Sequence, residues 1–299
     1  AETPTLNVIT GFSQACPIEA NRGRQNRRED RAMAYRSTTR IADLSVDVYE
    51  PAGRPKAVLV FSHGAWVGGW IWETFADWFA DQGYLCYCPT WRGRYDSKPV
   101  ADLGAVSIYD FVEDALDVAR SAKPDFVIGE SLGGLIAMKA AESLPGLKGL
   151  ILMNPAPPFM VPVKLAVLRK QFKYMGDLLG KKPNLPAEED YKELILNNVS
   201  EPEASEFYKK ICPDSGRALM EASLGRIKVD PRKLAMPVRV VVGHLDALLP
   251  AKVHHKVAGM LGAELDEYPA MSHHTFSESG WEKVADATER WIASKVNGS

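Results

Sequence analysis

The residues with the clearest chemical potential are Gly129-Glu130-Ser131-Leu132-Gly133, with Gly134 next. A serine hydroxyl attacks poorly unless a base removes its proton, so the motif matters only in the right setting. Here an apolar run, Asp125 to Ile128, precedes it, and a stretch rich in Leu, Ala and Met follows. That setting predicts a serine held on a sharp strand-to-helix turn, with Gly129 and Gly133 where side chains would collide. A serine so placed is suited to acyl transfer: attack on a carbonyl carbon through a negatively charged intermediate.

The chain has six histidines from which to draw a base. His63 stands before Gly64 and is expected to shape its own loop by hydrogen bonding. His254 and His255 fall on an expected helix, where solvent-facing or cap-contacting positions account for them. The pair His273-His274, in a loop after the last expected strand, is left to act on the serine. In a strand–serine–helix arrangement of this kind the acid lies between serine and histidine in chain order. Asp246 ends the run Val240-Val241-Val242-Gly243-His244-Leu245, 115 residues after Ser131 and 27 before His273. Asp266 and Glu267 are rivals on the last strand, expected to face away, and Asn154 cannot act as an acid. Two donors are needed for the oxyanion. The peptide N–H groups of Leu132 and of Ala65, in Ser62-His63-Gly64-Ala65-Trp66, are placed to supply them.

These groups need a scaffold that brings them to one edge. Tyr35 to Thr39 and Leu44 to Tyr49 read as short strands. Ala57 to Ser62 is apolar without alternation, as expected for a strand covered on both faces. Similar runs recur at Tyr84 to Pro89, Asp125 to Gly129, Leu147 to Met153 and Val238 to Val242, with helical spacing at Ile71 to Gln82, Ile108 to Ala122 and Leu132 to Ser143 between them. A helix near Ala251 to Leu261, a strand near Glu264 to Tyr268 and a helix near Trp281 to Lys295 complete the series. Such alternation predicts an α/β fold with a doubly wound, mostly parallel sheet. Residues 156–235 break the pattern and read as a helical cap insertion, with helices at Leu165 to Leu179 and Tyr191 to Val199 and breaks at Pro183, Pro186, Pro202 and Pro213. The expected organisation is an N-terminal extension over 1–33, a core over 34–155 and 236–299, and the cap over 156–235.

Composition narrows the partners. With 36 Lys and Arg against 38 Asp and Glu, the net charge of -2 creates no field that would gather nucleic acid. The arginines between Arg22 and Arg31 lack interleaved aromatic residues for base stacking and read as a solvated segment. No apolar stretch reaches the roughly 20 residues of a membrane span. Four cysteines are too few for a disulfide scaffold, and Cys86 and Cys88 share one strand face, so buried free thiols are expected. A cytoplasmic protein is expected, although a start at Ala1 is compatible with a removed leader. Neither a zinc motif nor a glycine-rich nucleotide loop follows a strand, so no cofactor or metal is implied.

His63 to Trp72 (HGAWVGGWIW) is similar to the first loop of plant-type esterases and hydroxynitrile lyases, Gly129 to Gly134 resembles a nucleophile elbow, Gly243 to Asp246 an acid turn, and Pro269 to His274 a histidine loop. From about Ala34 to Lys295 the chain resembles the α/β-hydrolase fold superfamily. The resemblance implies a Ser131–His273–Asp246 triad and hydrolysis of an ester, thioester or lactone with an apolar moiety. Trp66, Phe159, Met160 and His274 are then candidates to line the substrate site, while packing for Trp66 and a hinge at Pro155 to Val163 are the plainer readings. Departures from the pattern are Ser272 for a usual glycine, Glu130 for a frequent histidine and Thr90 for a frequent aspartate. A hydroxynitrile lyase would be expected to carry Lys after the histidine and Thr in the first loop, where His274 and Ala65 stand. Carbon–carbon hydrolases and a non-catalytic ligand-binding member are the alternatives on this scaffold.

Overall fold

The computed structural model describes residues 35–159, 174, 176 and 179–297. The expected N-terminal extension, most of the expected helix Leu165 to Leu179, and Met160 lie outside them. The described residues belong to one compact unit.

Strands β1 (Tyr35–Ile41) and β2 (Leu44–Glu50) form an antiparallel hairpin, and β3 (Val58–Ser62) follows. Helix α1 (Glu73–Asp81), β4 (Leu85–Pro89), α2 (Ile108–Ala122), β5 (Phe126–Glu130), α3 (Ser131–Ala141) and β6 (Gly149–Met153) come next. Ser107 starts α2 with a capping box, its side chain accepting from Asp110 N–H while Asp110 accepts from Ser107 N–H. Past the segment that follows β6 come β9 (Val238–Gly243), α7 (Ala251–Leu261), β10 (Glu264–Tyr268) and α8 (Trp281–Asn297).

Eight strands form one sheet in the order β1-β2-β4-β3-β5-β6-β9-β10. From β4 to β10 every pairing is parallel, and β2 meets β4 antiparallel. The unbroken apolar runs have a simple cause. Val60, Val127, Leu150, Leu152, Val240 and Val242 point into a core shared with α2, α3 and α7. Their neighbours Leu59, Phe61, Phe126, Ile128, Ile151 and Val241 point into a second core with α1 and α8. Each strand is thus buried on both faces, as a doubly wound sheet requires. Among the described residues no helix is long and apolar enough to cross a membrane, and Cys86, Cys88 and Cys212 are free thiols.

Between β6 and β9 the described elements are two-residue strands β7 (Pro183–Asn184) and β8 (Asp214–Ser215), which pair, and helices α4 (Glu188–Leu194), α5 (Glu201–Tyr208) and α6 (Gly216–Ser223). Two expectations are corrected. The helix over Tyr191 to Val199 instead begins at Glu188, where three acidic residues fill the positive first turn, and stops at Leu194. Pro202 does not break a helix; it sits in the first turn of α5, where its missing N–H costs no hydrogen bond.

A fully buried ion pair joins this segment to the sheet edge: Arg94 Nη2 lies 2.6 Å from Asp214 Oδ1, with the guanidinium 4.5 Å from the Phe111 ring centroid. Asp214 Oδ2 also accepts the Trp66 N–H at 2.9 Å. Asp214→Ala strands a buried cation and frees the Trp66 loop. The expected loss is about 3–5 kcal/mol, measured as a lower urea midpoint.

Candidate active site

Ser131 is the first residue of α3 and adopts φ +52°, a left-handed conformation that side chains rarely accept. Glycines make the turn possible. A methyl group on Gly133 would strike the Ser62 and His63 carbonyls, and one on Gly129 would lie 2.8 Å from the Gly133 carbonyl. Gly64 allows the loop after β3 to press against the serine, since a methyl there would collide with the Glu130 carboxylate and sit 3.1 Å from Ser131 Cβ. Ser62 Oγ donates to the Gly133 carbonyl at 2.8 Å and ties the two loops together. At the start of α3 the Leu132 N–H has no intrahelical acceptor, and the helix dipole adds positive potential there. Ala65 follows Gly64, and Trp66 continues the loop at φ +64°.

Asp246 stands just beyond β9, and His273 on the loop after β10. The His273 Nδ1 to Asp246 Oδ2 distance is 2.7 Å, with both side chains buried. Asp246 is held from every side. Its Oδ1 accepts the N–H groups of Leu248 and Leu249 at 2.9 and 2.8 Å, and Oδ2 accepts Asn154 Nδ2 at 2.8 Å. Burial by itself would raise this carboxyl, but the positive charge of His273 and the hydrogen bonds from His254 and His273 outweigh it and hold Asp246 below the usual carboxylate range. For His273 burial works to lower the imidazole. Asp246 and then Glu130 overcome it and leave the ring well above its ordinary value.

The hydrogen bond from imidazole to serine is not made in this structure. Among the described residues His273 Nε2 has no hydrogen-bond partner, and Glu130 Oε1 lies 3.3 Å from it. Glu130 also stands 3.6 Å from His274 Nε2. Its carboxylate, next to Ser131 in the chain, thus faces both rings. Catalytic hydrogen bonds are often long before substrate arrives. His274 is buried between Phe207 and Phe276, with ring centroids at 5.3 and 5.4 Å, and that burial outweighs the pull of Glu130 and lowers its pKa.

The remaining candidates scatter. Trp66 packs edge-on against Tyr191, 6.0 Å between centroids, and with Tyr191, Leu194, Ile195, Leu219 and Leu248 lines a cavity walled largely by the segment between β6 and β9. Phe159 is exposed, with Lys228 Nζ 5.3 Å from its ring, and does not line that cavity. His63 shapes its loop: Nδ1 lies 2.9 Å from the Gly64 carbonyl and Nε2 accepts the Trp91 N–H at 3.2 Å.

His254 is a correction to the sequence reading. Rather than facing solvent it is fully buried, with Nε2 3.3 Å from Asp246 Oδ2, because α7 turns that face toward the sheet. Two further supports carried no sequence signal. Asn154, at φ +42°, binds Asp246, the Ser272 carbonyl and the Gly243 N–H, joining three loops. Glu278 accepts the N–H groups of Ser272 and His274, the Ser272 hydroxyl and Asn198 Nδ2, and so fixes the histidine loop. An asparagine after a strand and a glutamate four residues past a histidine pair are too common in any chain to mark these roles.

A mostly parallel eight-stranded sheet, covered on both faces and carrying a strained serine between a strand and a helix, defines the α/β-hydrolase class. The model of the "Alpha/beta hydrolase family" matches residues 59–287, and the chain belongs to that family. It is similar to the "Monoacylglycerol lipase" of Mycolicibacterium smegmatis, 29% identical over 277 residues, covering 84% of this chain and 92% of that one. A "Pimeloyl-[acyl-carrier protein] methyl ester esterase" of Aliivibrio fischeri is 30% identical over 219 residues, covering 66% and 78%. Among solved structures, a monoacylglycerol lipase of Paleococcus ferrophilus superposes with a TM-score of 0.66 at 19% identity, covering 84% of this chain and 99% of that one. The protein is an α/β-hydrolase enzyme of the esterase and lipase type.

Proposed function

We propose that the protein hydrolyses an ester, thioester or lactone with an apolar moiety through an acyl-Ser131 intermediate. Ser131 Oγ bonds to the carbonyl carbon while its proton passes to His273 Nε2. The oxyanion is stabilised by the Ala65 and Leu132 N–H groups. His273 then gives that proton to the leaving oxygen or sulfur as the carbon–oxygen or carbon–sulfur bond breaks, and the alcohol or thiol group is released from the acyl carbon. Water repeats the sequence and frees the acid. Asp246 fixes the imidazole tautomer and balances its charge. The 2.7 Å contact between His273 and Asp246 carries this reading. An acyl substrate is supported by the relatives named as a monoacylglycerol lipase and a methyl ester esterase, and by the apolar cavity beside Trp66, which we assign to the substrate's apolar moiety.

The test combines labelling with a substrate panel. A fluorophosphonate probe should modify Ser131, located by peptide mass, and wild-type protein should turn over members of an ester, thioester and lactone series. Labelling elsewhere, or turnover confined to diketones, would overturn the proposal.

Glu130 gives a pH prediction. His273 must be neutral to take a proton, and the Asp246 and Glu130 carboxylates both favour its charged form. Glu130→Gln removes one of them, so the acid limb of kcat/KM for p-nitrophenyl butyrate should move about one pH unit lower. An unmoved limb would show that Glu130 does not govern this proton.

A further inference from the structure

We propose that His244, His255 and Glu267 form a surface binding site for a divalent transition-metal cation of the zinc class. The three side chains come from three elements: His244 follows β9, His255 lies on α7, and Glu267 lies on β10. Both imidazoles converge on one oxygen, His244 Nε2 at 2.8 Å and His255 Nε2 at 2.7 Å from Glu267 Oε1, and one ligand atom from each residue falls within a 4.8 Å span. Two nitrogens and a carboxylate oxygen suit zinc, which then completes its shell with water.

The backbone sets this geometry in advance. β9 and β10 are parallel neighbours, with Val242 opposite Glu267, and the His244 N–H donates to the Tyr268 carbonyl at 3.1 Å. Asp266, one residue away on the opposite face of β10, is occupied by Arg239 and Tyr268 and does not compete. Around a tetrahedral zinc ion neighbouring ligand atoms stand roughly 3.3 Å apart, given bonds of about 2.0–2.1 Å. The two His–Glu spacings therefore open by about half an ångström when the ion enters, and the imidazole nitrogens, within 4.8 Å of each other, adjust to the same spacing, within reach of side chains that are each more than a third exposed. Each imidazole binds the ion through an unprotonated Nε2 and keeps its ring proton on Nδ1.

Such an ion would pin the end of β9 to α7 and β10, two residues before Asp246. The site does not depend on the hydrolytic reading, and its failure would leave that reading intact.

Calorimetric titration of the full, chelator-treated chain with ZnCl2 at neutral pH tests it. Wild-type protein should bind one ion per chain and melt at higher temperature with zinc, reversibly with chelator. His244→Ala, His255→Ala and Glu267→Gln should each weaken binding by at least about tenfold, the scale lost when even outer-shell partners of a metal are removed. Ester turnover without metal should be unchanged in all three. Absence of saturable binding by wild-type protein, or full affinity in either histidine variant, would overturn the site.

Discussion

Ser131→Ala should lower kcat for p-nitrophenyl esters by about a millionfold, the scale seen when a serine hydrolase loses its nucleophile. The proposed mechanism has no second route, since the bond to the acyl carbon is made by this hydroxyl alone. Stability should barely change. Alanine meets the same backbone demand at φ +52° as serine does, and the hydroxyl donates no hydrogen bond to a described residue. A difference below about 1 kcal/mol, or roughly 2–4 °C in melting temperature, is expected. Retained turnover in a folded variant would remove Ser131 from the mechanism. Loss of turnover with loss of folding would be uninformative by itself, so melting curves and fluorophosphonate labelling are recorded on the same preparation.

Asp246→Asn should reduce kcat by about 10⁴-fold with a much smaller effect on KM. The carboxylate serves two sides, with Oδ1 taking the Leu248 and Leu249 N–H groups and Oδ2 facing Asn154, His254 and His273. An asparagine has one oxygen, and the two peptide donors hold it. Its amide NH2 then faces His273 Nδ1, which must present a lone pair instead of a proton, and the ring adopts the tautomer with Nε2 protonated. A protonated Nε2 cannot take the serine proton. The same NH2 opposes the Asn154 amide, so a stability loss of about 1–3 kcal/mol is also expected in urea unfolding. The two readouts separate the possible roles. A purely structural Asp246 would lower the urea midpoint while folded molecules kept their kcat, whereas the proposed role predicts loss of kcat in protein shown to be folded.

Much of the architecture was legible in the chain because its signals are local. The unbroken apolar runs of β3, β5, β6 and β9 report strands buried on both faces, and the glycines around Ser131 report a turn that tolerates no side chain. Chain order then nominated Asp246 and the His273-His274 pair. The inserted segment was harder, because short helices packed on a neighbouring surface take their ends from that surface more than from their own periodicity. That is why α4 ends at Leu194 and why Pro202 opens α5.

The amino-acid sequence by itself determined that a serine would sit between a strand and a helix, and which acid and which pair of histidines were available to it. Only the tertiary structure decided how those histidines divide, with His273 on Asp246 and His274 between two phenylalanines. It also decided that His254 stands behind the acid and that Glu130 faces both rings. The physical reason is reach. A hydrogen bond acts over about 3 Å, and Asp246 and His273, 27 positions apart in the chain, come that close only once the sheet has fixed the loops that carry them.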